Sequence, residues 1–174
     1  HYTFSLDQWC GYADDAMRYA DNGMPQRGES GIYLGGTSCA VVNTTIQWSA
    51  AAGIYSSGTY SYVENNLMED CGYMGSYVAG FYDSWAGTDD IRTPRSGNLV
   101  VNNTIDKVGR AMYHMEIAQN GWNVVDGFTP YLPTEVAYNE LKNGSLTARD
   151  TGVVYMYCST MGSDRQHHDI HHNV

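Results

Sequence analysis

Short apolar runs broken by polar pairs recur along this chain, and the recurrence carries more information than any single run. VVNTTI (41–46), YVENNL (62–67), VVNNTI (100–105) and VAYNEL (136–141) align without gaps, and IHHNV (170–174) begins a fifth copy. In that alignment the first column reads Val41, Tyr62, Val100, Val136 and Ile170. The fourth reads Thr44, Asn65, Asn103, Asn139 and Asn173, and the sixth Ile46, Leu67, Ile105 and Leu141. Asn is disfavoured in strands, so an Asn column inside strand-like sequence requires a reason. A bend between two sheets supplies one, because stacked amides can bond along an axis and satisfy the backbone at a turn.

A second motif follows each complete copy. GIY (53–55), GFY (80–82), AMY (111–113) and VVY (153–155) place small or apolar residues before a tyrosine, and GIY (31–33) precedes the first copy. The expected tyrosine column is Tyr33, Tyr55, Tyr82, Tyr113 and Tyr155, and the column after it Leu34, Ser56, Asp83, His114 and Met156. Short strands in register with loops of unequal length predict a coil that stacks on itself. Each turn buries its apolar face only against its neighbours.

These motifs resemble the right-handed parallel β-helix repeat of the pectate-lyase-like superfamily. RDTGVVYMYCSTMGSDRQHHDIHHNV (149–174) is similar to the D-x-G-x-I-Y … G-x-x-I-x-x-N signature of β-helix glycoside hydrolases and their relatives, departing from it at Val153 and Asp169. The resemblance implies an all-β parallel β-helix solenoid and a carbohydrate-active role. The chain then reads as one domain over 1–174, with a capping or irregular start at 1–30 and stacked turns over 31–174. Within the start, residues 5–22 space Leu6, Trp9, Ala13, Met17 and Ala20 three to four apart, which predicts an amphipathic helical cap. The fifth copy stops early, so the expectation is a piece of a longer β-helix whose open C-terminal strand edge invites self-association.

Composition narrows the function. With 43% hydrophobic residues the chain is not of disordered composition, and 19 Gly and 15 Tyr against 16% charge suit turns and strands. No apolar run approaches the roughly 18 residues of a membrane helix. A net charge of −10 disfavours nucleic acid, anionic membranes and acidic polysaccharides, leaving neutral substrates favoured. Sequons at Asn43, Asn102 and Asn143 fit a secreted, extracellular protein. Cys10, Cys39, Cys71 and Cys158 form no C-x-x-C, so zinc is not expected, and two disulfides or buried thiols both remain open.

Glycoside hydrolysis of a polysaccharide or oligosaccharide is the first functional expectation. It needs two carboxyl groups about 5–5.5 Å apart for retention or about 6.5–9.5 Å for inversion. Asp150 opens the signature segment and is the first candidate, with Glu116 or Asp83 as its partner. Asp83 and His114 are expected on adjacent turns within hydrogen-bond reach, as an acid/base unit. Tyr55, Tyr82, Tyr113, Tyr155, Trp85, Trp122 and Arg110 are the candidate substrate contacts, with 83–97 and 116–133 as two loop walls of one groove. The second expectation is a polysaccharide lyase or epimerase on uronates, using arginines (Arg92, Arg95, Arg110, Arg149) and calcium. The third is a structural or adhesive rod without catalysis. HHDIHH (167–172) could offer His167, Asp169 and His171 to a metal, but a strand surface explains the run, so no metal site and no cofactor is assigned outside the lyase reading. His1 could be one arm of a copper brace, which the repeat pattern does not fit.

Overall fold

In a computed structural model the chain is described over residues 30–73, 79–84, 95–117, 131–146, 152–158 and 168–174. It is all-β, with no helix among the described residues, and its strands pair in parallel. The helical cap expected at 5–22 lies outside these residues.

Sheet I stacks β2 (Ala40–Val42), β5 (Tyr62–Glu64), β9 (Leu99–Val101), β13 (Glu135–Ala137) and β16 (Asp169–His171). Sheet II stacks β3 (Thr45–Gln47), β6 (Leu67–Cys71), β10 (Thr104–Val108) and β14 (Glu140–Lys142). Sheet III stacks β1 (Ile32–Leu34), β4 (Ile54–Ser56), β7 (Ala79–Ser84), β11 (Ala111–Ile117) and β15 (Val154–Cys158). A fourth, two-stranded pair joins β8 (Arg95–Ser96) to β12 (Tyr131–Leu132). The chain visits sheets III, I and II in turn and then returns one place further along, an arrangement consistent with a parallel β-helix solenoid.

The core lies between the three sheets. Sheet I contributes Val41, Val63, Val100 and Val136; sheet II contributes Ile46, Met68, Ile105 and Leu141; sheet III contributes Ile54, Phe81, Tyr113 and Val154. Fully burying one such side chain stabilises by roughly 1.5–3 kcal/mol, so one coil brings several such terms only when its neighbours cover it. Gly31, Gly53 and Gly80 occupy the entry to sheet III, where a Cβ would meet Ile46 at 2.5 Å, Met68 at 3.1 Å and Ile105 at 2.2 Å. The column is glycine there because the sheet II side chains fill that space.

Each expected hexapeptide is two strands around a corner, one in sheet I and one in sheet II. Asn43, Asn65, Asn102, Tyr138 and His172 turn that corner at φ between 52° and 58°, a left-handed conformation that Asn tolerates and bulkier residues seldom take. The next residue points inward. Asn66, Asn103 and Asn139 form a buried amide ladder that the half-buried Asn173 ends, headed by Thr44, whose N–H donates to Asn66 Oδ1 at 2.9 Å. Asn103 Nδ2 donates to Asn139 Oδ1 at 3.0 Å, and Asn139 Nδ2 to Asn173 Oδ1 at 2.9 Å. The same amides bond the carbonyls of Val63, Val100 and Val101.

This corrects the sequence alignment in the second coil. Ala40 pairs with Tyr62 and Val41 with Val63, so the inward residues there are Val63, Asn66 and Met68, where the gap-free alignment placed Tyr62, Asn65 and Leu67. Asn65 is instead the exposed corner residue. A shift of one residue exchanges the two faces of a strand. Only Val63 satisfies the core, whereas Tyr62 outside bonds Glu64 through its hydroxyl.

Candidate functional site

Sheet III carries most of the candidate chemistry, and its register decides which residues meet. Tyr33 pairs with Tyr55, Tyr55 with Tyr82, Tyr82 with His114, and His114 with Tyr155. His114, not Tyr113, therefore holds the fourth place in the tyrosine column. Tyr113 belongs to the inward column, stacked on Phe81 with ring centroids 5.3 Å apart and planes 5° apart. The reason is again alternation: Tyr113 fills the core beside Phe81 and Val154, and its neighbour must face out. The expectation that Asp83 and His114 pair is corrected with it, because Asp83 lies in register with Ser56 and Met115.

The outward column is continuous. Ring centroids are 5.6 Å apart for Tyr33–Tyr55, 5.2 Å for Tyr55–Tyr82, 4.6 Å for Tyr82–His114 and 5.0 Å for His114–Tyr155. Ala52, Ala79 and Ala111 form the small-residue column beside it, which leaves room for the rings. Tyr55, Tyr82 and His114 are buried, while Tyr33 is exposed and Tyr155 half-buried. The column is thus a packed stack with an open end at Tyr33, and not an exposed stripe along its length.

Arg110 joins this stack just before β11. Its guanidinium lies 4.6 Å from the Tyr155 ring centroid, and its Nη1 is 3.4 Å from His114 Nδ1. A guanidinium only donates, so Nδ1 accepts and the imidazole carries its proton on Nε2. Burial, helped by the Arg110 charge, pulls the His114 pKa down to about 3. Arg110 itself is only 4% exposed. A cation, a neutral imidazole and a phenol ring are gathered within contact of one another. Glu116 stands two residues beyond His114 on the same strand, in register with Ser84 and Tyr157.

Asp83 is placed inside. Its Oδ2 accepts from Asn98 Nδ2 at 3.0 Å, Thr134 Oγ1 at 3.4 Å and Tyr113 OH at 3.5 Å. Burial and the Asp83 charge push the Tyr113 phenol well above its ordinary pKa. Asn98 and Thr134 belong to a second inward polar column that precedes sheet I. Ser61 N–H donates to Asn98 Oδ1 at 2.8 Å, Asn98 N–H to Thr134 Oγ1 at 3.1 Å, and Thr134 N–H to His168 Nδ1 at 3.2 Å. The sequence reading missed this column because Ser61, Asn98, Thr134 and His168 share no residue type, only a position one before each sheet I strand.

Asp150, Trp85 and Trp122 lie outside the described residues, as do Arg92, Arg149, His167 and most of both expected groove walls. The described part of the histidine run places His171 Nε2 at 3.4 Å from Glu135 and stacks His172 on Tyr138, with centroids 5.1 Å apart. Cys39 and Cys71 are free thiols, and burial raises the Cys71 pKa to about 11. The sequon residues Asn43, Asn102 and Asn143 are all exposed at positive-φ corners.

One open depression lies apart from sheet III. It has a volume of about 310 Å³ and is lined by Trp48, Ser49, Ala50, Asp70 and Tyr73. No protein-family model, curated protein or solved structure matches this chain.

Proposed function

We propose that the chain is a right-handed parallel β-helix, secreted and extracellular, that binds and acts on a polysaccharide. The observation that carries the reading is the buried Arg110–His114 pair on the aromatic column. A passive rod has no need to bury a guanidinium against an imidazole held neutral, and groups perturbed by burial and a charged neighbour concentrate at functional sites. The net charge of −10 supports a neutral glycan as substrate.

Glycoside hydrolysis is the first reaction in this reading. Its carboxylates are Glu116, on the strand that carries His114, and Asp150. Asp83 takes a structural role here, because three donors converge on its Oδ2 within the interior. One observation favours a second reaction, elimination or epimerisation at a uronate. In that case Arg110, the cation of the stack, would neutralise the sugar carboxylate.

The test is a panel of neutral and uronate polysaccharides, followed by new reducing ends and by the ultraviolet absorbance of an unsaturated sugar. New ends without absorbance identify a hydrolase, and then Glu116→Gln and Asp150→Asn should each lose roughly 10²-fold or more in rate. New ends with absorbance identify a lyase, and Arg110→Ala should then abolish it. Neither product, together with no retention of any glycan, overturns the proposal in favour of an inert rod.

A further inference from the structure

A second corner recurs where each sheet II strand ends. Trp48, Asp70, Lys107 and Asn143 occupy it at φ of 57°, 52°, 51° and 50°. Asp and Asn adopt this conformation readily, but a tryptophan there is an outlier that costs stability. Strain of this kind persists where the side chain is needed. Trp48 is 62% exposed, so its ring is not held there by burial in the core.

It stands over an open depression. Trp48 and Tyr73 line the depression, floored by the buried Ser49 and Ala50. The Tyr73 hydroxyl lies 3.1 Å from the Lys107 carbonyl and 3.3 Å from Asp70 Oδ1, which fixes the far end of its ring. Lys107 makes its ion pair with Glu69 at 2.6 Å, so Asp70 presents a carboxylate to the opening. The volume of about 310 Å³ falls at the small end of ligand sites.

We infer that this corner is a binding subsite for a neutral pyranose unit of a glycan. Trp48 offers a broad apolar face to the sugar C–H surface, Tyr73 forms the second wall, and Asp70 accepts from sugar hydroxyls. An aromatic plane with an adjacent acceptor fits a ring that is apolar on its faces and donor-rich at its rim. The Asp70 carboxylate at the opening disfavours a uronate. The inference deepens the carbohydrate reading and rests on it, but it uses none of the sheet III residues.

Affinity electrophoresis tests it, with a mixed-linkage glucan, a xylan, a galactomannan and polygalacturonate as probes. Wild-type protein should be retarded by at least one neutral glycan, and Trp48→Asn should bind it roughly tenfold or more weakly, about the weight of one aromatic stacking contact. Asn relieves the positive φ, so the melting temperature should hold or rise, which a packing role for Trp48 would not allow. If Trp48→Asn melts early, Asp70→Asn decides: weaker binding supports the subsite and equal binding overturns it. Equal binding by Trp48→Asn overturns the subsite and leaves the carbohydrate reading standing. Retardation by polygalacturonate alone overturns the neutral subsite in favour of a uronate-binding surface. Retardation by none of the probes overturns the subsite, and overturns the carbohydrate reading too when no glycan product forms.

Discussion

Asn66 donates twice to one atom of Asn103. Its backbone N–H reaches Asn103 Oδ1 at 2.9 Å and its side-chain Nδ2 reaches the same oxygen at 3.0 Å. A further bond from Nδ2 to the Val41 carbonyl, at 2.9 Å, ties three coils together through one side chain. Asn66→Ala should therefore cost about 2–4 kcal/mol, since it leaves the Thr44 N–H without its acceptor and removes the side-chain bonds to Asn103 and the Val41 carbonyl. Its neighbour makes the contrast. Asn65 is exposed at φ 55°, and Asn65→Gly should change stability by less than about 0.5 kcal/mol. Urea denaturation of both variants checks the pair, and equal costs would restore the gap-free alignment.

Gly80→Ala should destabilise the fold by about 1–3 kcal/mol, the usual range for overpacking. Its Cβ would lie 2.2 Å from Ile105 Cγ2 and 2.9 Å from the Met112 carbonyl. A thermal melt reads the effect, and pairing the change with Ile105→Ala should recover part of it. A double variant no better than the sum of the two singles would show that the backbone carbonyl, not Ile105, sets the limit.

His114 should make stability depend on pH in one direction. Its folded pKa of about 3 lies below the unfolded value near 6.5. Between these values the unfolded chain binds the extra proton, so stability is full above about pH 6.5 and falls as pH drops towards 3. Burial lowers the His168 pKa too, and it contributes with the same sign. His114→Phe keeps a ring in the stack but cannot titrate. Its loss of stability on acidification should be shallower than that of the wild type over this window. Parallel curves from chemical denaturation at several pH values would exclude His114 as the source.

Tyr138 holds the corner that Asn43, Asn65 and Asn102 hold in earlier coils, at φ 58° and well exposed. Tyr138→Asn should raise stability by about 0.5–1 kcal/mol by relieving the left-handed conformation. A decrease would mean that stacking on His172 outweighs the backbone cost.

The sequence made the coil legible but not its register at two points, and both have the same cause. Repeats announce themselves through residue types, whereas strand faces are set by what is buried. In YVENNL two adjacent asparagines offer two alignments, and only the inward Val63 separates them. In Phe81–Tyr82 and Tyr113–His114 each strand holds two neighbouring aromatics. Tyrosine serves equally as a core ring or an outer one, so matching tyrosine to tyrosine put Tyr113 on the wrong face. The candidate site was less legible still. The Arg110–His114 contact needs the outward position of His114, and Asp83 is an interior acceptor only because Asn98 and Thr134 arrive from a column with no shared residue type.

The amide ladder also has a direction. Asn66 donates to Asn103, Asn103 to Asn139 and Asn139 to Asn173, with the carbonyl oxygen always supplied by the later coil. The side-chain dipoles therefore lie head to tail, and each bond polarises the next. Inverting one amide would set oxygen against oxygen on one side and N–H against N–H on the other. Such a column admits a new coil in a single orientation, so the stack is vectorial: a second copy could extend it only head to tail, never face to face.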